Sequence, residues 1–184
     1  MTESRLSGVP WKIGGAYGAL TYFTALIFTI MWTYYDHHDT ILNVEVGKPW
    51  ELIGLAVASF YEAQFVLTET ADYTPYLVRF GPDSRAYLTP SVFYAIPVVL
   101  LLIIAAVFVY TEFEGTDRLN ALSAGASLAI GYVVASLVVI LAVRFGIGAE
   151  IPIVRAVAFG VLYPVVLGGL AGVIVNEVKI LREG

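Results

Sequence analysis

The sequence predicts an all-α membrane protein, a four-transmembrane-helix bundle with a small extramembrane cap between helices one and two. The cap is expected to hold one amphipathic helix plus a β-hairpin. Three observations carry that expectation. The 184 residues are 59% apolar and only 14% charged, whereas a soluble domain is about one quarter charged. Mean hydropathy is +0.81, well on the lipid side of ordinary. The charges also avoid four long apolar stretches, 11–35, 91–111, 121–143 and 152–176. A bilayer's hydrocarbon core of roughly 30 Å takes about 20 helical residues, and each stretch is long enough. Together they hold about half of the chain, yet the only charges in them are Lys12 and Arg155. Both lie near ends, where a long side chain snorkels to the interface.

The first stretch follows Arg5 and Lys12, as the apolar core of a signal peptide would. It is too long for one, and it runs into Trp32, Thr33, Tyr34, Tyr35 and Asp36 with no small-residue cleavage site. Trp11 and the Trp32/Tyr34/Tyr35 cluster mark its two ends as interfacial aromatic belts do. It is expected to stay as a transmembrane helix.

Segment 36–90 is too long for a structureless loop, so it should contain elements of its own. Residues 50–66, WELIGLAVASFYEAQFV, follow Lys48-Pro49 and read as a helix start. Two carboxylates in this short run favour an interfacial helix; re-entrant and fifth-span readings stay open. Two β-prone runs, 76–80 and 85–88, flank Gly81-Pro82-Asp83-Ser84, the pattern of a hairpin. Residues 41–46 offer a third strand. The whole chain, 1–184, reads as one integral domain.

Lipid tails are as apolar as leucine, so helices in a membrane associate where small residues let backbones approach. The first stretch has Gly14 and Gly18; the third has Ser123, Ser127, Gly131 and Ala135; the fourth has Ala156, Gly160, Pro164, Gly168 and Gly172. A four-residue step places such residues on one helix face. The expected packing seam is therefore Gly14, Gly18, Ser127, Gly131, Gly160, Gly168 and Gly172, serving packing within the chain or a homodimer. Pro97 and Pro164 each remove a backbone hydrogen bond inside a span and are expected to kink it.

Four spans put both termini on one side. Basic residues are about twice as dense in the terminal segments and 112–120 as in 36–90 and 144–151, which places both termini in the cytoplasm. Net charge is −5, with 15 acids and only three lysines. No nucleic-acid footprint is expected, and an acidic, lysine-poor surface suits concentrated salt. With no cysteine, disulfides and thiolate chemistry are excluded.

Chemistry-bearing patterns are few. Asp36-His37-His38-Asp39 follows the first span, but adjacent residues point apart and no third His or Cys completes a shell; no metal and no cofactor are expected. No G-x-S-x-G, phosphate loop or H-E-x-x-H occurs, so an enzyme is not expected. Arg155, one turn into the fourth span, is the ionisable residue of most interest. Its expected partner in a structural ion pair is Glu62, which sits among apolar neighbours. Removing either alone would strand the other charge.

Val9-Pro10-Trp11, the run FYEAQFV at 60–66, GASLAIGY at 125–132 and YPVV at 163–166 together resemble a group of uncharacterised haloarchaeal multi-pass membrane proteins. That resemblance implies the four-helix layout and a halophilic archaeal cell membrane, and it implies no activity. Two functions remain: a non-catalytic accessory or assembly subunit with dry seams, or a small oligomeric carrier or channel with a wet cavity. The expected partners are the lipid bilayer and a second copy or a membrane complex.

Overall fold

Long apolar runs rich in Leu, Ala, Ile and Val, free of charge in their interiors, form helices because every backbone polar group is then satisfied within the segment. The computed structural model describes residues 9–36, 92–115, 117–147 and 153–183. They fold into six α-helices: α1 (Trp11–Asp36), α2 (Val92–Glu112), α3 (Arg118–Ala126), α4 (Leu128–Ile147), α5 (Ile153–Tyr163) and α6 (Gly169–Glu183). A π-helical turn, Pro164–Gly168, joins α5 to α6, and Ser127 alone separates α3 from α4. The six helices therefore make four rods: α1, α2, α3–α4 and α5–π–α6. All four are long and apolar enough to cross a membrane.

Among the described residues there is no strand. The predicted hairpin, the helix at 50–66 and the remainder of the cap, 36–90, lie outside the described residues, apart from Asp36, which closes α1.

Contacts fix how the rods are arranged. Gly14 meets Ser127, Gly18 meets Leu128 and Tyr22 meets Tyr132, so rods one and three run parallel. Gly125 meets Gly168 and Ala121 meets Gly172, so rods three and four run antiparallel. Lys179 reaches Phe113 while Gly168 faces Ala105, so rods two and four are parallel. The order around the bundle is one, three, four, two. The start of α1, the α2–α3 connection and the end of α6 share one end of the bundle.

The interior divides into two apolar clusters along the rods. One gathers Tyr22, Leu101, Tyr132, Ile140 and Ala156. The other, at the end holding the α2–α3 connection, gathers Val9, Phe108, Phe113, Ala121 and Leu128. Polar side chains inside α1 are met locally: Thr21 donates to the Tyr17 carbonyl at 2.7 Å and Thr29 to the Ala25 carbonyl at 2.9 Å.

The two prolines behave differently. Pro97 lies inside α2 without ending it. Pro164 opens the π-turn, the wider coil by which a helix accommodates a position that lacks an N–H and crowds the carbonyl four residues back.

Candidate functional site

The small residues singled out by the sequence lie at the seams between rods. At the first seam, α1 lies against the junction of α3 and α4. A Cβ on Gly18 would collide with the Leu128 carbonyl, and one on Gly131 with the Gly15 carbonyl. The two helices thus exchange close Cα-to-carbonyl approaches in both directions, geometry in which weak Cα–H···O contacts recur. Gly14 lies against the Ser127 hydroxymethyl group, with the Phe108 ring 3.3 Å from where its Cβ would be.

Ser127 suits this position because it is small and can satisfy itself. Its hydroxyl donates to the Ala124 carbonyl at 2.6 Å. Its N–H is shared between the Ser123 and Ala124 carbonyls, both at 3.0 Å, and its own carbonyl accepts from Ile130 three residues on. The third rod is therefore wound more tightly, by bonds spanning three residues rather than four, where α1 crosses it. Just beyond, Tyr22 and Tyr132, both fully buried, meet edge to face at 5.3 Å, a favoured aromatic geometry.

The second seam joins α3 to the π-turn and α6. Gly125 and Gly168 each press on the other's carbonyl, and Gly172 presses on that of Ala121. Ala121 and Gly125 stand outside the stripe of Ser123, Ser127, Gly131 and Ala135 that spacing selects. They form a second small pair four residues apart, offset by two positions, and that spacing was the available signal. Gly160 differs from its companions: the nearest atom to its absent Cβ is a Val133 methyl at 3.4 Å.

The end of the bundle that holds the α2–α3 connection carries polar contacts between rods. Asp117 caps α3 by accepting from the Leu119 N–H at 3.4 Å. Arg118 forms a forked pair with Glu177 on α6, at 2.5 and 3.1 Å; its guanidinium is largely exposed, so the pair orients more than it stabilises. Lys179 donates to the carbonyls of Val109 at 3.2 Å and Phe113 at 2.7 Å. Its ammonium also lies 5.3 Å from the centre of the Tyr110 ring. A cation from a neighbouring rod thus terminates α2, where unpaired carbonyls and the negative end of the helix dipole favour positive charge.

The remaining expected site residues are not brought together here. Arg155 belongs to α5, but its side chain and the whole of Glu62 lie outside the described residues, as do His37, His38 and Asp39. Among the described residues no group of three or more His, Cys, Asp or Glu could hold a metal ion. A small apolar hollow of about 290 Å³ lies between α1 and α2, lined by Phe28, Ala95, Ile96, Val99 and Leu100; nothing in that lining can donate, accept or titrate.

A family model described as a family of unknown function (DUF7978) matches residues 1–179. No curated protein matches the chain, and no solved structure does.

Proposed function

The chain belongs to that family of unknown function, DUF7978, and from this premise we propose that it is an integral membrane protein serving as a non-catalytic accessory or assembly subunit. One observation carries the reading: among the described residues, the seams of the third rod with the first and with the second half of the fourth are closed by backbone against backbone. Gly18, Gly131, Gly125 and Gly168 leave no room for even a methyl group, and Ser127 and Tyr132 are buried within the packing. Carriers need a water-accessible cavity near the midplane with groups that bind cargo; close-packed seams suit a protein whose role is to hold a shape against partners. Trp11 and Trp32, both outward-facing, are about 32 Å apart along α1 at 1.5 Å per residue, close to the thickness of a hydrocarbon core.

The proposal includes orientation and habitat. Arg118, Lys179 and Arg182 share an end with the start of α1, and a basic end faces the cytoplasm. Tags at residues 1 and 184 should report the cytoplasm and a tag near Asp83 the exterior; a cytoplasmic Asp83 would refute the orientation. The acidic, lysine-poor composition fits a halophilic archaeal membrane.

The deciding experiment is purification of the full chain in mild detergent at high salt, with identification of what stays bound. A stoichiometric protein partner supports the subunit reading. The alternative, a small oligomeric carrier or channel, draws on the helix discontinuities at Ser127 and Pro164–Gly168, since broken helices line transport sites. Solute or ion flux in liposomes containing the pure protein, absent from liposomes without it, would establish it and overturn the first reading.

A further inference from the structure

The fourth rod carries compact residues at an unbroken four-residue step: Ala156, Gly160, Pro164, Gly168, Gly172 and Asn176, all buried. A straight α-helix cannot hold such a stripe on one face. Each four-residue step overshoots a full turn by about 40°, so between Ala156 and Asn176 the stripe would drift by about 200°, to the opposite side. A π-helix turns by only about 82° per residue, at roughly 4.4 residues per turn. Across 164–168 the chain therefore rotates by about 410° rather than about 500°, nearly what four α-helical residues would give. Drift along the stripe falls to about 110°.

We infer that the π-turn is the register-setting element of the fourth rod, acting as one inserted residue that lets both halves of the rod pack at once. With it in place, Gly160 faces Val133 on α4 while Gly168 and Gly172 face Gly125 and Ala121 on α3. If 164–168 wound as plain α-helix, everything after it would turn by about 90°. Leu167 would then come where Gly168 now lies, against a carbonyl that leaves no space for a Cβ. Pro164 favours the wide turn from within by withholding the N–H that an α-helix needs. The Gly125–Gly168 contact favours it from outside. The Arg118–Glu177 pair, beyond the seam, depends on the same phase.

The absence of cysteine gives a direct test in the full chain. A short thiol-reactive linker should join the pair Arg118→Cys and Glu177→Cys, which reports the phase of α6 against α3. It should also join Phe28→Cys and Val99→Cys, outward-facing positions on α1 and α2 that serve as the control. Pro164→Ala is expected to lose most of the first linkage and keep the second. Deleting Val165 in the Pro164→Ala background removes the inserted residue and is expected to restore the first linkage. The inference fails if Pro164→Ala links normally, or if the deletion does not bring the linkage back. Should Pro164→Ala alone not fold, the deletion variant decides: a folded, linked protein supports the inference and a misfolded one overturns it.

Discussion

The two halves of the fourth rod use the same stripe of small residues in opposite ways. In α6 and the turn before it, Gly168 and Gly172 lie on the carbonyls of Gly125 and Ala121, and any side chain would drive two backbones apart. In α5, Gly160 faces a valine methyl at 3.4 Å, so the neighbour is a side chain and need shift only slightly. All three are glycines in helices, all three are buried and all three lie on the four-residue step. Spacing therefore marks which face a residue occupies, whereas the partner's surface decides whether glycine is required. The difference follows the partner: α3 presents an alanine and a glycine, and α4 presents valine.

The strongest test of the tight seams is Gly131→Leu, which places a branched side chain on the Gly15 carbonyl. We expect a loss of about 3 kcal/mol or more, or failure to fold, read as thermal unfolding in detergent. Unchanged melting would mean that rods one and three do not meet as described. Gly168→Ala is the gentler form on the other tight seam and is expected to cost about 1–3 kcal/mol, since a carbonyl of the neighbouring backbone must move.

Lys179→Met keeps the length and apolar stem of the side chain but removes the cation from the end of α2. We expect a loss of about 1 kcal/mol, together with faster amide exchange confined to the last turn of α2. Equal exchange in both proteins would show that the carbonyls of Val109 and Phe113 are satisfied without Lys179. The smallest effect carries the opposite sign. Gly160→Ala should raise stability by about 0.5 kcal/mol, because alanine is the better helix former and the site admits a methyl group. A drop as large as that for Gly168→Ala would erase the contrast between the two halves.

Much of this was legible in the residues. Four apolar runs with Lys12 and Arg155 as their only charges demand long helices, because a backbone in apolar surroundings must satisfy its own hydrogen bonds. Small residues four apart mark faces of close approach, and Gly14, Gly18, Ser127, Gly131, Gly168 and Gly172 all meet a neighbouring rod closely. Other features had no one-dimensional signature. Lys179 reads as an ordinary terminal lysine until α2 ends beside it, and Ala121 and Gly125 read as filler beside a longer stripe.

What the sequence alone determined was the set of rods and their sticky faces, because hydropathy and residue size are local properties. Which faces meet was decided only by the tertiary structure. The adjacency of rods one and three, and the choice of Ala121 and Gly125 over Ser123 for the fourth rod, depend on how two surfaces fit. The π-turn shows the division most clearly. Pro164 announces that an α-helical hydrogen bond will be missing, but it does not say how the helix will respond. A kink, a break or a wide turn would each accommodate the lost donor. The wide turn matches Gly168 and Gly172 to a neighbour whose carbonyls leave no space for side chains, so contacts distant in the chain select among local alternatives of similar energy.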